Sequence, residues 1–148
     1  MSEKANPLVD ELNKVLTCIL DFKQVLTDFS KSASHDATRN KLKELVESRE
    51  QESESIMGII KDLGGQVETN ERITDQEAVN WVPRPLPDSD NVSSLLDTLI
   101  KAEGNAIEAY EKLLKREKMD EGHRETLSKY KMAAEANLKY FESAQSSQ

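Results

Sequence analysis

Apolar residues recur along the chain at alternating steps of three and four, the spacing of one face of a helix packed along its length. Four segments follow this pattern, over about residues 7–31, 36–63, 91–117 and 121–143. The first stripe contains Leu8, Leu12, Val15, Ile19, Phe22, Leu26 and Phe29. The second stripe contains Leu42, Leu45, Arg49, Glu52/Ser53, Ile56, Ile59/Ile60 and Leu63. The third contains Val92, Leu96, Leu99, Glu103, Ala106, Tyr110 and Leu113. The fourth contains Leu127, Tyr130, Ala134, Leu138 and Phe141. The pattern predicts a single all-α domain of four long helices over residues 1–148.

Residues suited to helix ends flank each segment. The predicted N-caps are Asn6 (followed by Pro7), Asp120, and either Ser89 or Asp90 for the third helix. Gly64-Gly65 supplies a left-handed residue that ends the second helix. The last five residues are expected to fray.

The connection over about residues 64–90 decides the topology. Thr74 to Glu77 has the form of a capping box and predicts a short helix to about Val82, while Trp81 is expected to pack onto the bundle. About 23 extended residues reach beyond a helix of about 40 Å. The connection can therefore cross the bundle and place the third helix parallel to the second, which is ferritin-like topology. A plain up-down-up-down bundle is the alternative.

Charge restricts the classes of partner. The chain carries a net charge of −8, which repels phosphate backbones and anionic lipid, so neither nucleic acid nor a membrane is expected as a partner. No apolar run has the length of a membrane span, and the N-terminus has no apolar signal core. The single Cys18 fits a reducing compartment, which points to the cytoplasm.

Two charged residues stand at the centres of apolar stripes. Arg49 and Glu103 each lie near the middle of a predicted helix, where an isolated charge is costly to bury. We expect them to form a buried pair in which the arginine supplies the positive charge that metal ions supply in di-metal four-helix bundles. The alternative is that each side chain reaches water independently.

A di-metal site in a four-helix bundle needs inward glutamates and Glu-x-x-His motifs on facing helices. The sequence contains no Glu-x-x-His, and helical angles predict that only Glu103 points inward from the centre of a stripe. The carboxylates or amide expected to point away are those of Asp21, Gln24, Glu47, Glu50, Glu54 and Glu135. His35 and His123 fall near the loops at opposite ends of the bundle, and Cys18 has no histidine partner. No metal site and no catalytic residue is predicted.

Several segments together resemble a known family. They are residues 63–68 (LGGQVE), a Trp in the connection, residues 102–114 (AEGNAIEAYEKLL) and residues 129–137 (KYKMAAEAN). They resemble a bacterial family of small ferritin-like four-helix bundles known only as a domain of unknown function. The resemblance implies the fold and a distant relation to proteins that hold two iron or manganese ions. Glu103 and Glu135 match acidic positions of that family, whereas Asn137 replaces a frequent histidine and Gln24 a frequent glutamate.

These observations favour a non-catalytic ferritin-like bundle with no cofactor and a degenerate metal site. Its role is expected to be that of a structural or stress-related interaction protein, and a homodimer is left open. The candidate buried polar residues are Arg49, Glu103 and Asn137. Two alternatives remain: a di-iron or di-manganese carboxylate protein with oxidoreductase or storage activity, and a carrier of a small ligand in the polar middle of the core.

Overall fold

A computed structural model describes residues 6–68 and 80–147. Helix α1 spans Pro7–Ser32, α2 Asp36–Asp62, α3 Val92–Leu114 and α4 Glu121–Ser146. Within these residues the fold is all-helical and contains no strand, which confirms the all-α class and the four helices expected from the stripes. None of the described helices is long and apolar enough to cross a membrane.

Helix ends are set by local hydrogen bonds. The Asn6 side chain accepts from the backbone N–H of Leu8 at 3.0 Å, and Asp120 caps α4 in the same way. Helix α2 ends because Gly64 adopts a φ of 79°. Gly65 is also required to be small, since an added Cβ would lie 2.6 Å from a side-chain carbon of Val9. The caps predicted at Asn6 and Asp120 and the left-handed glycine predicted after α2 are confirmed.

The start of α3 differs from the prediction. Its N-cap is Asn91, which accepts from the N–H of Ser94 at 3.2 Å. Ser89 and Asp90 do not cap the helix because their side chains bind the last residue of α1 and the loop that follows it. Ser89 Oγ lies 2.7 Å from Ser32 Oγ, and Asp90 accepts from the Ser34 hydroxyl at 2.8 Å.

The predicted C-terminal ends of α3 and α4 each shift by three residues, whereas those of α1 and α2 shift by one. Helix α3 ends at Leu114 rather than Glu117. Its terminal region is closed by Arg124, which donates to the carbonyls of Leu114 and Arg116 at 2.6 Å each. Helix α4 continues to Ser146, so the predicted fraying of the last five residues is wrong for most of that segment.

Helices α1 and α2 pack as one pair and α3 and α4 as another, and the two pairs share one core. The helices contribute unequally, since α1 buries fourteen of its 26 residues and α4 only three of its 26. Those three are Leu127, Ala134 and Phe141, whereas Tyr130 and Leu138 are half-buried. Helix α4 is therefore the least buried of the four helices.

The connection is attached to the bundle along its described parts. The Asn13 amide donates to the carbonyl of Gln66 at 3.0 Å and accepts from the N–H of Glu68 at 2.8 Å. Trp81 is 3% exposed and packs in the core as expected, and its carbonyl accepts from the Asn105 amide at 2.8 Å. The capping box over 74–77, where the short helix was predicted to begin, lies outside the described residues.

Candidate functional site

The centre of the core contains an ion pair between two helices. Arg49 of α2 donates through Nη2 to Oε1 of Glu103 on α3 at 2.6 Å. Arg49 is 4% exposed and Glu103 is 0% exposed. The sequence pattern placed both residues at the centres of their stripes. In the structure, Arg49 lies near the middle of α2 and Glu103 near the middle of α3.

A second buried carboxylate shares the same arginine. Nη1 of Arg49 donates to Oε1 of Glu52 at 2.8 Å, and Glu52 is 1% exposed. The expectation of a single inward carboxylate was therefore wrong. Glu52 shares a polar stripe position with Ser53, and its spacing of three from Arg49 was the signal that could have identified it.

Two further side chains complete the arrangement. The Tyr110 hydroxyl donates to Oε2 of Glu52, and the Asn137 amide donates to Oε2 of Glu103 at 3.3 Å. Tyr110 is fully buried and lies seven residues after Glu103 on the same stripe, where the sequence pattern predicted only a core residue. The central network is defined here as these five residues: Arg49, Glu52, Glu103, Tyr110 and Asn137.

The network is satisfied by hydrogen bonds but unbalanced in formal charge. One guanidinium faces two carboxylates, so the fully ionised set carries one negative charge. The Cζ atom of Arg49 also lies 4.2 Å from the centroid of the Phe22 ring, a cation–π distance that helps to hold a desolvated cation. Because Arg49 and its two carboxylate partners are shielded from water, salt screens the interactions between them very little.

Burial and charge shift the acidities in this network. Burial raises the pKa of Glu103; the Arg49 guanidinium opposes this shift, and the neighbouring Glu52 adds to it. Burial also raises the pKa of Tyr110, and the adjacent Glu52 carboxylate raises it further. Burial disfavours the charge of Arg49, but Glu103 and Glu52 outweigh that effect and raise its pKa. The arginine therefore stays charged, and Glu103 retains a proton to higher pH than an ordinary glutamate, because its pKa is raised.

The other polar candidates on α1 and α4 lie outside the network. Gln24 is exposed and donates to Asp28 at 3.0 Å, while Asp21 pairs with Arg84 at 2.7 Å. Glu135 of α4 accepts from Lys131 at 3.0 Å. The polar partners of these side chains are therefore Asp28, Arg84 and Lys131, and not Arg49 or Glu103.

The acidic residues of α2 apart from Glu52 face outward. Glu47 and Glu54 are exposed, and Glu50 is half-buried and pairs with Lys23 of α1. His35 is exposed at the start of α2, and His123 is half-buried 3.3 Å from Asp62. Neither histidine approaches the centre of the bundle.

Cys18 is buried in the core, where burial raises the pKa of its thiol to about 11, with a further contribution from Asp21. A thiol with this acidity is almost entirely protonated at neutral pH and is a poor nucleophile.

The donor set at the centre does not fit a di-iron or di-manganese pair. The two inward carboxylates are already held by a cation, and no imidazole is near them. Among the residues that the structure describes, no group of three or more His, Cys, Asp or Glu side chains is arranged to hold a metal ion. Arg49 lies between the two carboxylates, where a metal ion would have to bind.

No protein-family model, no curated protein and no solved structure matches this chain. The likeness to ferritin-like bundles therefore stays a prediction from the sequence.

Proposed function

We propose that the four helices have ferritin-like topology, with the connection crossing the bundle from end to end. Hydrogen bonds at the two ends of the connection support this arrangement. Gln66 is bound by Asn13 near the start of α1, whereas Ser89 contacts Ser32 at the end of α1. A helix of 26 residues is about 39 Å long, so these anchor points lie most of a bundle length apart.

We infer that the protein is a non-catalytic bundle in the cytoplasm that acts through its surface, as a structural or stress-related interaction protein. The observation that carries this proposal is Arg49 bound to both Glu52 and Glu103 at the bundle centre. In di-metal bundles this position belongs to cations held by carboxylates of facing helices. A guanidinium neutralises the same carboxylates but offers no open coordination position and no redox chemistry.

Burial of the network supports the same proposal. Arg49, Glu52, Glu103 and Tyr110 are each at most 4% exposed, so a substrate cannot reach them without opening the core. The groups are also committed to one another: each carboxylate accepts from Arg49 and from one further donor. Such a network specifies how α2, α3 and α4 align, which is a structural role.

Elemental analysis separates this proposal from a di-iron or di-manganese protein. Protein without a histidine tag would be purified from cells supplied with iron and manganese, and its metal content measured beside that of Glu103→Ala. We expect both preparations to contain far less than one equivalent per chain. One or more equivalents in the wild-type protein, lost in Glu103→Ala, would overturn the proposal.

In-cell crosslinking tests the role of the surface. A variant with Arg49→Met, Glu52→Gln and Glu103→Leu removes the charges of the network but changes no exposed side chain. Provided that its helical content is retained, it should crosslink to the same proteins as the wild type. A folded variant that loses all of these partners would show that the network itself carries the function.

A further inference from the structure

A cavity opens at the end of the bundle where α2 and α3 begin and α4 ends. Its volume is about 190 Å³, and most of its wall is apolar. The apolar wall includes Leu42, Leu95, Leu96, Leu99, Phe141 and Ala144. An engineered apolar cavity of about 150 Å³ stays dry and binds benzene, so this space is large enough for an organic ligand of about six to eight carbons.

The polar groups of the cavity lie together at one side. Thr38 and Lys41 are three residues apart on α2 and therefore share one face of the helix. The Lys41 ammonium lies 4.3 Å from the centroid of the Tyr140 ring, which also lines the cavity and is 48% exposed. This cation–π contact holds the charge of Lys41 beside the apolar space.

Lys41 is available to a ligand. Among the residues that the structure describes, Lys41 forms an ion pair only with Glu44, at 3.7 Å, which is longer than a hydrogen bond, and the Glu44 side chain is 72% exposed. Such an exposed pair contributes little, so a ligand carboxylate that also fills the apolar space can displace it.

We propose that this cavity binds a small apolar carboxylate, with its hydrocarbon part between α2, α3 and α4 and its carboxylate paired with Lys41. An apolar part and one convergent cation are the usual composition of a small-molecule site. The hydroxyl of Thr38 is placed to donate a second hydrogen bond to the same carboxylate. The site is separate from the central network and does not depend on the proposed function.

The test compares hexanoate with hexan-1-ol, a neutral ligand of the same chain length, by isothermal titration calorimetry and by NMR. Wild-type protein should bind hexanoate saturably and more tightly than hexan-1-ol. Lys41→Met keeps the apolar stem and should weaken hexanoate binding by about five- to tenfold, as expected for loss of a charge-assisted hydrogen bond, without changing hexan-1-ol binding. Lys43→Met is the matched control, because Lys43 is exposed on the same helix and does not line the cavity.

A second pair of variants tests the location. Ala144→Phe places a ring into the cavity and should abolish binding of both ligands, whereas Ala136→Phe, on the exposed side of α4, should leave both unchanged. Should Ala144→Phe fail to fold, contacts between the hexanoate methyl group and the methyl groups of Leu95 and Leu99 in the wild-type protein decide the location.

The proposal is overturned by any of four results. The first is the absence of saturable hexanoate binding, and the second is binding that persists in a folded Ala144→Phe variant. The third is an equal loss of affinity for both ligands in Lys41→Met. The fourth is a concentration-dependent dimer that shields the cavity methyl groups when no ligand is present. The last result would assign the cavity to a second copy of the chain.

Discussion

Arg49 is shared by Glu52 and Glu103, and this sharing determines how each member of the network responds to substitution. Removal of Glu103 leaves the arginine still paired with Glu52. Removal of Arg49 leaves two buried carboxylates with no cation. The two sides of the ion pair are therefore not equivalent.

We expect Arg49→Met to destabilise the protein by about 3–5 kcal/mol, and Glu103→Leu by clearly less, because only the first strands buried charge. The double variant should remain destabilised, since Glu52 is then buried without a cation. Adding Glu52→Gln should recover much of the loss. Urea unfolding of these variants gives the free energies, and a coupling between positions 49 and 103 below about 0.5 kcal/mol would contradict the pair.

The shifted acidity of Glu103 predicts a pH dependence. The pKa of Glu103 in the folded protein lies above the ordinary value of 4.5. Protonation of Glu103 therefore stabilises the folded state below about pH 4.5, and this stability is lost as the pH rises towards the raised pKa. Glu103→Gln keeps the side chain neutral at every pH. The unfolding free energy of the wild type relative to this variant should therefore fall across that window, measured by urea unfolding at several pH values. A difference that rises with pH would show that Arg49 dominates.

The sequence identified Arg49 and Glu103 because a charge at the centre of an apolar stripe is conspicuous. It treated Glu52 and Ser53 as alternatives for one position of the stripe, whereas the structure buries both side chains, each 1% exposed. It also could not show that Tyr110 donates to Glu52, since this contact joins residues 58 positions apart.

At the scale of the helices, ends fixed by a residue's own neighbours were predictable, and ends fixed by distant contacts were not. Asn6, Asp120 and Gly64 act on backbone groups within a few residues. The Ser89 hydroxyl is instead hydrogen-bonded to Ser32, 57 residues away, and the N-cap of α3 is Asn91. Local sequence contains no information about that competition.

Because α4 has only three buried residues, substitutions at adjacent positions of this helix should differ sharply in their effect on stability. Phe141 is 2% exposed and is one of the three buried residues of this helix. Phe141→Ala should cost about 3–5 kcal/mol, as for other buried aromatic residues. Tyr140→Ala, at a position 48% exposed, should cost no more than about 1 kcal/mol, mainly from its contact with Lys41. Thermal unfolding of the two variants makes the comparison, and equal losses would contradict the assigned rotation of α4.

For the whole molecule, Asn13 is the residue that attaches the beginning of the connection to α1. It is 4% exposed and makes hydrogen bonds to backbone groups of both Gln66 and Glu68. Asn13→Ala leaves these groups without their partner and should destabilise the protein by about 1–3 kcal/mol. Gln24→Ala, on the exposed side of the same helix, should change stability by less than about 0.5 kcal/mol. Chemical denaturation gives both values; a loss for Asn13→Ala as small as that of the control would rule out this attachment.

The position of Trp81 has a practical consequence. It is the only tryptophan of the chain, and it belongs to the connection rather than to a helix, although its ring is buried 6.2 Å from that of Tyr110. Its fluorescence therefore reports whether the connection is docked on the bundle. Circular dichroism at about 222 nm, the usual helix band, reports the four helices. Unfolding curves that coincide in the two signals would describe one cooperative unit. An emission shift that precedes the loss of helix would describe a bundle that releases its connection first.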